Sequence, residues 1–562
     1  MTRMIALVVA LLLALTGCTT IATSGPVEEV PLAAQPRGID IAPEPPSPDM
    51  TPERLVDGFL QAMADPEGGY EIARQYLTSD AEASWDPIDA VVFDGEVASD
   101  TGTAGIVGQA IGQLDESHRY RPLLEPLEHD FGVIQEQGQW RISRPHEGLL
   151  LSRYNFERYY SRVTLYFVSR AGAHVVPDPI HLPESLVTPT NIMQALFEGP
   201  SDAIGAAVFD AVPRGTHLGT GGATIDQAGV VTVDLAGLPA ELGDDALRRL
   251  GAQLLWTLTS VPRFTGLTVI QGARTLPIPG ASASGVLELA TQQGYQVLSR
   301  AAATDLYGVR RGRVGRISGS SIFGVMSGVP QRAADVAVSV DGASMAVIAE
   351  DRTGVLLGGL DGPVNPVELP LSNLRSPQFI LGTLWIMGDD WSGTPRLVTV
   401  DRAGNVQRVA LESGIGRMRS YAVSPSRARI AIVAEHQGQQ KLGIATVSGT
   451  PISVSGWRPL EIITQRGGPL TDPVSPTWQA ETSLAVEAAH SGGRSVYTAM
   501  LDGSMVQDTG SVPGEIIDLA ANVRLGGGPI SVTTSQGVVW RYEARTRWSR
   551  LAEDVTAVAY PG

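Results

Sequence analysis

One thiol, one side-chain ammonium group and eight imidazoles are the readily activated nucleophiles and soft ligands of this 562-residue chain: Cys18, Lys441 and histidines spread from His118 to His490. No two histidines stand at the i, i+4 spacing that puts a pair of zinc ligands on one helix face. The closest pair, His174 and His181, is separated by a stretch holding Pro177 and Pro179; its loop character assigns both residues a structural or surface role. Lys441 is not preceded by serine at the spacing of penicillin-binding enzymes, and neither a Gly-x-Ser-x-Gly elbow nor a phosphate loop occurs. Gly219-Thr220-Gly221-Gly222 reads as a flexible turn, since it follows no strong strand and opens no helix. The acidic pairs Asp244/Asp245 and Asp389/Asp390 have the composition to flank a site. The first fits better as the negative start of a helix, where the N-terminal dipole favours carboxylates, and the second as a turn between short strands.

Cys18 is left as the residue with the clearest chemistry, and its setting says what that chemistry is. A single basic residue, Arg3, precedes the apolar run Met4 to Leu15, which ends in Thr16 and Gly17 just before the cysteine. This is the layout of a signal peptide, shorter than the roughly 17–25 apolar residues of a spanning helix. Leu15-Thr16-Gly17-Cys18 also matches a lipobox, in which the sulfur takes a diacylglycerol, the chain is cut between Gly17 and Cys18, and the new amine is acylated. The competing readings are an ordinary signal peptide with an incidental cysteine, or a short uncleaved anchor; the lack of any other cysteine favours the lipobox. A chain whose one thiol is acylated cannot form an internal disulfide. Two or three acyl chains hold firmly where one binds only marginally, so the expected protein is lipid-anchored on the extracytoplasmic face of the cell membrane and does not span it.

The formal net charge of −18 argues against nucleic acid as a partner, because polyanions attract basic patches. With 43% hydrophobic and 18% charged residues the composition is globular, and the length calls for several domains. Nearly all the basic residues are arginine, Lys441 being the sole lysine, and this richness in arginine, alanine, glycine and valine favours a high-GC, actinobacterial source. Residues 1–17 form the leader. Residues 18–50 carry the cysteine and a Pro-rich tether, able to hold the folded part on the order of 60–100 Å from the lipid at ~3 Å per residue.

Residues 51–153 read as an α+β unit. Thr51-Pro52-Glu53 is a helix start with an N-cap and a proline at the first position. Leu55, Phe59, Leu60 and Met63 share a helical face, and a second short helix carries Tyr70, Ala73, Tyr76 and Leu77. Strands follow at Ala90 to Phe93 and in a hairpin from Phe131 to Ile142 through Gly138. Residues 154–280 read as α/β, with a strand at Val163 to Val168, a helix from Thr188-Pro189 to Gly199-Pro200, a strand at Val230 to Leu235, a helix carrying Leu247, Leu250, Leu254 and Leu258, and a strand at Leu267 to Gln271. Residues 281–305 read as a linker.

From residue 306 to 562 helical patterns vanish and short strands recur. Val336 to Val340 leads through Asp341-Gly342 into Met345 to Ile348, and Tyr421 to Val423 leads through Ser424-Pro425 into Ile430 to Val433. Ser376-Pro377 and Ser475-Pro476 mark the same phase, with weaker echoes at Ile516 to Ala520 and Val555 to Tyr560. The period of roughly 37 to 51 residues is that of a propeller blade. Each such unit buries a face only its neighbour can cover, so the copies must close into a ring. About six blades are expected, the strand at Val555 to Tyr560 completing a sheet with the hairpin Tyr307 to Ile317. A β-sandwich is the alternative, but it would not require the repeated turn. Most of Trp256, Trp385, Trp391, Trp478, Trp540 and Trp548 are expected in core packing, with some free to anchor a partner.

This order of modules resembles the LpqB family of actinobacterial lipoproteins over essentially the whole mature chain. "VDGFLQAMADPEGGYEIARQYLTSDAEASWDP" resembles its N-terminal domain, for which the resemblance implies an NTF2-like fold. "VTLYFVS", "HVVPDPIHLP", "ALFEGPS" and "TLPIPG" resemble a GerMN domain, and "RVGRISG" and "VSPSRARIAIV" resemble the family's propeller. The resemblance implies an accessory protein of the MtrAB two-component system that binds the extracytoplasmic domain of the sensor histidine kinase MtrB and modulates signalling in cell-wall homeostasis and division. It brings no catalytic residue, metal or cofactor. The rival reading is a glycan-binding propeller, or a carboxylate- and calcium-dependent hydrolytic one, of the cell envelope.

Overall fold

The computed structural model describes residues 43–562 except 101–102, 293, 299–304, 319–321, 327, 330–331 and 492. Gly17, Cys18 and most of the tether lie outside the described residues.

The N-terminal unit begins with helix α1 (Pro52–Ala62). The Thr51 hydroxyl accepts the Arg54 N–H at 3.3 Å, and the helix buries Leu55, Val56, Phe59 and Leu60. The next helices, α2 (Glu71–Arg74) and α3 (Ser79–Ser84), are single short turns. The helical face expected to run on through Tyr76 and Leu77 stops at Arg74. Leu77 instead forms an extended bridge to Ile142, and Thr78 caps the new helix by accepting the Ala81 N–H.

Strands β1 (Ala90–Asp100), β2 (Thr103–Leu114) and β3 (Tyr120–Asp130) form an antiparallel meander. The hairpin β4 (Val133–Glu136)–β5 (Gln139–Ile142) stands apart, and β6 (Leu149–Ser152) adds in parallel beside β1. Bulges at Val92/Phe93 and Ala110/Gly112 interrupt the meander's register, the kind of irregularity that curves a sheet. Most of β2 and β3 escapes sequence reading because Gly105, Gly108, Gly112, Pro122 and Pro126 interrupt the apolar alternation. Gly95 and Gly108 lie opposite one another, where a side chain on either would collide with the facing backbone.

Helix α4 (Arg153–Tyr159) leads into the second unit: β7 (Tyr160–Ser169), β8 (Val175–Pro183), α5 (Pro189–Phe197), β9 (Val208–Phe209), β10 (His217–Ile225), β11 (Val230–Ala236), α6 (Asp244–Leu258), β12 (Gly266–Gln271) and β13 (Arg274–Thr275). The sheets have the orders β8-β7-β9 and β10-β11-β12-β13. Parallel β11 and β12 are joined by α6, a βαβ crossover. Leu165, Phe167, Val176, Ile192, Leu250 and Leu254 form its core.

Three expectations change here. The segment around Pro177 and Pro179 is strand β8, buried along its length; its prolines are tolerated because β8 pairs within its sheet only with β7. The Gly219 to Gly222 run lies within β10 as a bulge, its Gly221 N–H donating to Asp234 at 3.0 Å. The stretch after residue 280 folds back onto this unit: Leu287 is in its core and bridges Leu267, and Trp256 Nε1 donates to the Tyr295 carbonyl at 2.9 Å.

The last 257 residues, 306–562, form the propeller. Among the described residues six sheets surround a channel, five of four strands and one of five. Their inner strands, Val555–Ala559, Ala333–Val338, Ser372–Ile380, Arg417–Val423, Pro476–Ala480 and Ile516–Ala521, neighbour one another in that order, and the last returns to the first. Blade 1 is closed by the two chain ends of the domain: Val555–Ala559 pairs with Leu306–Arg310, followed by Arg313–Ser318 and Ile322–Val325. Each blade interface holds its own apolar cluster. Trp385 and Met387 of blade 3 meet Tyr421 and Ile432 of blade 4, and Ala431 and Val433 of blade 4 meet Leu484 and Val486 of blade 5. Burial of these matched faces, worth roughly 25 cal/mol per Å² of apolar surface, is what closes the ring.

Candidate functional site

Two places gather polar side chains from distant parts of the chain: the propeller channel and the junction where the other units meet blades 4 and 5.

The channel is narrow, a cavity of ≈ 150 Å³ lined by the six inner strands. Its side chains mostly stitch one blade to the next. Gln378 of blade 3 donates to the Tyr421 carbonyl at 3.1 Å and accepts the Val423 N–H at 3.1 Å, while Tyr421 Oη donates to the Ser376 carbonyl at 2.8 Å. Trp478 Nε1 reaches the Ala422 carbonyl at 2.9 Å. Two carboxylates face the channel from equivalent bulged positions of blades 2 and 6, Asp335 and Asp518. Asp335 accepts the Val336 N–H at 2.8 Å; Asp518 accepts Leu519 N–H at 3.0 Å and, across the blade boundary, Val558 N–H at 2.8 Å. Burial raises the pKa of both above the usual carboxylate range, and for Asp335 the charge of Asp518 adds to the effect. Among the described residues no group of three His, Cys, Asp or Glu side chains is arranged to hold a metal ion.

At the junction, strand β8 lies against the ends of blades 4 and 5. His174 Nε2 donates to the Ser426 carbonyl at 2.9 Å, in the loop after the blade 4 inner strand. His181 Nε2 donates to Asp502 at 2.9 Å, both side chains being under 10% exposed. Burial works to raise the Asp502 pKa, but the hydrogen bond and charge of His181, with Ser504, outweigh it and hold the carboxyl below its usual range.

Between the two histidines, Asp178 accepts the Ser201 N–H and hydroxyl, each at 2.8 Å, and lies 3.6 Å from Arg119 of the N-terminal unit and 3.9 Å from Arg429 of blade 4. Arg429 is 1% exposed and donates to the Pro177 carbonyl at 2.7 Å. Glu481 of blade 5 completes the cluster, accepting the Ser426 hydroxyl at 3.0 Å. One carboxylate thus draws groups from all three units together. Ala428 enters the core of the second unit, and Ile463 that of the first.

His174 and His181 are therefore not brought together; each contacts the propeller separately. Asp244 and Asp245 open helix α6, with Arg248 and Arg249 paired to Asp245. Asp389, the last residue of the second strand of blade 3, pairs with Arg375 at 2.9 Å, and Asp390, in the turn that follows, pairs with Arg396 at 2.9 Å. Trp385 and Trp478 are buried, whereas Trp391, in that same turn, is 97% exposed. Sequence reasoning missed Asp335, Asp518, Asp502 and Arg429. The first two were within reach: aligning Val336-Ala337-Val338 with Leu519-Ala520-Ala521 puts an aspartate directly before each.

An α+β unit, an α/β unit and a six-bladed propeller in this order define a class of multidomain propeller protein. Family models match in that order: "Lipoprotein LpqB, N-terminal domain" over residues 45–157, "Sporulation and spore germination" over 164–269, and "Lipoprotein LpqB beta-propeller domain" over 312–561. Lipoprotein LpqB of Cutibacterium acnes is 32% identical, with 97% of each chain covered; that of Streptomyces coelicolor is 27% identical over 100% of this chain and 98% of its own. The chain belongs to the LpqB lipoprotein family. TolB from Acinetobacter baumannii, a solved structure, is similar at 12% identity and a TM-score of 0.35, covering 58% of this chain and 88% of that one; a likeness that low carries no functional weight.

Proposed function

We propose that this LpqB-family chain is an extracytoplasmic lipoprotein that binds the extracytoplasmic domain of the sensor histidine kinase MtrB and modulates its signalling. Cleavage between Gly17 and Cys18 exposes the cysteine that carries the diacylglycerol and the N-acyl chain, and the Pro-rich tether lets the folded part reach a neighbouring receptor. The protein acts by binding, without turnover.

The observation that supports this most is the position of Trp391. The second unit occupies the ends of blades 4 and 5 at Ser426, Arg429 and Asp502. Trp391 is in the turn between the second and third strands of blade 3, at the opposite ends of the sheets, where it is 97% exposed. Tryptophan is among the residue types enriched at interface hot spots.

The test is binding of the kinase's extracytoplasmic domain to the full chain and to Trp391→Ala. The expected result is micromolar or tighter association, weakened about thirtyfold by the substitution, equivalent to the ~2 kcal/mol of a hot spot. No association at tens of micromolar, with binding or turnover of cell-wall fragments instead, contradicts the proposal. Cys18→Ser is expected to move the protein from the membrane to the soluble fraction.

A further inference from the structure

Beside the Asp178 cluster lies an open cleft of ≈ 620 Å³ to which all three units contribute walls, among them Arg119 from the first, Asp178 and Ser201 from the second, and Arg429 and Arg458 from the propeller. Four of its five acids already have partners, the fifth being exposed Asp202. Asp178 holds Ser201 and the two arginines, Asp502 holds His181, Glu461 holds Lys441 at 3.0 Å, and Asp115 accepts the Ser117 and Arg119 backbone N–H groups at 3.1 and 2.9 Å.

Its arginines are not equally satisfied. Nε and Nη1 of Arg429, a residue 99% buried, have no acceptor, and neither has the buried Nε of Arg119. Leaving a buried donor unpaired is costly, and more so when it is charged. An acceptor arriving from the cleft would satisfy them. A planar guanidinium presents its N–H groups in a fork matched to carboxylate and phosphate oxygens.

We propose that this cleft binds a small oxyanion, a carboxylate- or phosphate-bearing molecule, whose oxygens take up the free donors of Arg429 and Arg119 while exposed Arg458 supplies further positive charge at the mouth. Because three units line the cleft, an occupied site bridges them, and its occupant stabilises the assembled chain in proportion to its concentration over its Kd. The inference does not depend on the identity of the kinase partner.

The test titrates the full chain, in detergent, with citrate and separately with inorganic phosphate, at constant ionic strength maintained with chloride, following heat of binding and the thermal midpoint. Saturable binding by at least one anion is expected, together with a rise in midpoint. Arg458→Glu, on the surface, leaves the fold intact and is expected to weaken binding about tenfold, and Arg119→Gln by a similar factor. The circular dichroism spectrum and the midpoint without anion establish that each variant is folded. Absence of saturable binding by both anions overturns the inference, as does binding that neither variant weakens. Citrate alone binding identifies a carboxylate site, and phosphate alone identifies a phosphate site.

Discussion

The blade interfaces and the domain junction hold the same molecule together by opposite means. Between blades, contact is mostly apolar and repeated, as in the pairing of Trp385 and Met387 with Tyr421 and Ile432, with hydrogen bonds such as Gln378 to Tyr421 along the channel. Between the second unit and the propeller, a short set of buried polar pairs is used once: Asp178 with Arg429, His181 with Asp502, His174 with the Ser426 carbonyl. Apolar faces are forgiving of small shifts, since their energy follows area. Buried charges are not, since each is costly unless its partner is in place. The ring thus derives its strength from area, and the junction fixes the orientation of the second unit on that ring.

The sharpest way to break this contrast is at Arg429. Arg429→Ala takes from buried Asp178 one of its two arginines and from the Pro177 carbonyl its donor, and is expected to cost about 3–5 kcal/mol in denaturant unfolding and to split one transition into two as the second unit uncouples from the propeller. Ile432→Ala, in a blade interface, is expected to cost about 2–5 kcal/mol through lost burial and a cavity. It destabilises the propeller without separating it from the second unit, so a split transition from this variant would refute the contrast.

His181→Phe keeps the ring's bulk but removes the donor to Asp502, for an expected loss of about 1–3 kcal/mol. Since Asp502 is held below its usual pKa, its contribution is complete above about pH 4 and fades as pH falls through its folded value. Wild type and His181→Phe should therefore converge in stability in acid.

The channel acids behave in the reverse sense. Asp335 and Asp518 are raised, so the folded state binds more protons than the unfolded one above about pH 4, and stability declines as pH rises from there toward neutrality. Asp335→Asn is expected to flatten that slope and raise the thermal midpoint at neutral pH, as read by calorimetry across pH. The smallest expected effect on stability is that of Trp391→Ala, within about 0.5 kcal/mol.

The same contrast explains what was legible in the sequence. Blade repeats announce themselves because each inner strand carries an apolar run and a turn at a fixed phase, and the pairing of Val555–Ala559 with Leu306–Arg310 follows once the ring has to close. Helices α1, α5 and α6 were readable from caps and apolar spacing; Thr51 and Thr188 cap the first two as their positions suggest. The junction has no such period. Pro177 and Arg429 are 252 residues apart, and His181 and Asp502 are 321 apart, so no local pattern links them. Pro177 and Pro179 further disguised β8 as a loop, and glycines disguised β2 and β10. Cys18 is the reverse case: its assignment rests entirely on its neighbours in sequence.

The central claim is that the second unit is fixed on one end of the propeller, with Trp391 exposed at the other, which is where the proposed function puts the kinase. Hydrogen exchange on the full chain, with and without the kinase's extracytoplasmic domain, tests it most directly. The account predicts new protection at residues 390–394 and no change at 174–183 or 426–429. Protection confined to the first two units, with 390–394 exchanging as before, would contradict it.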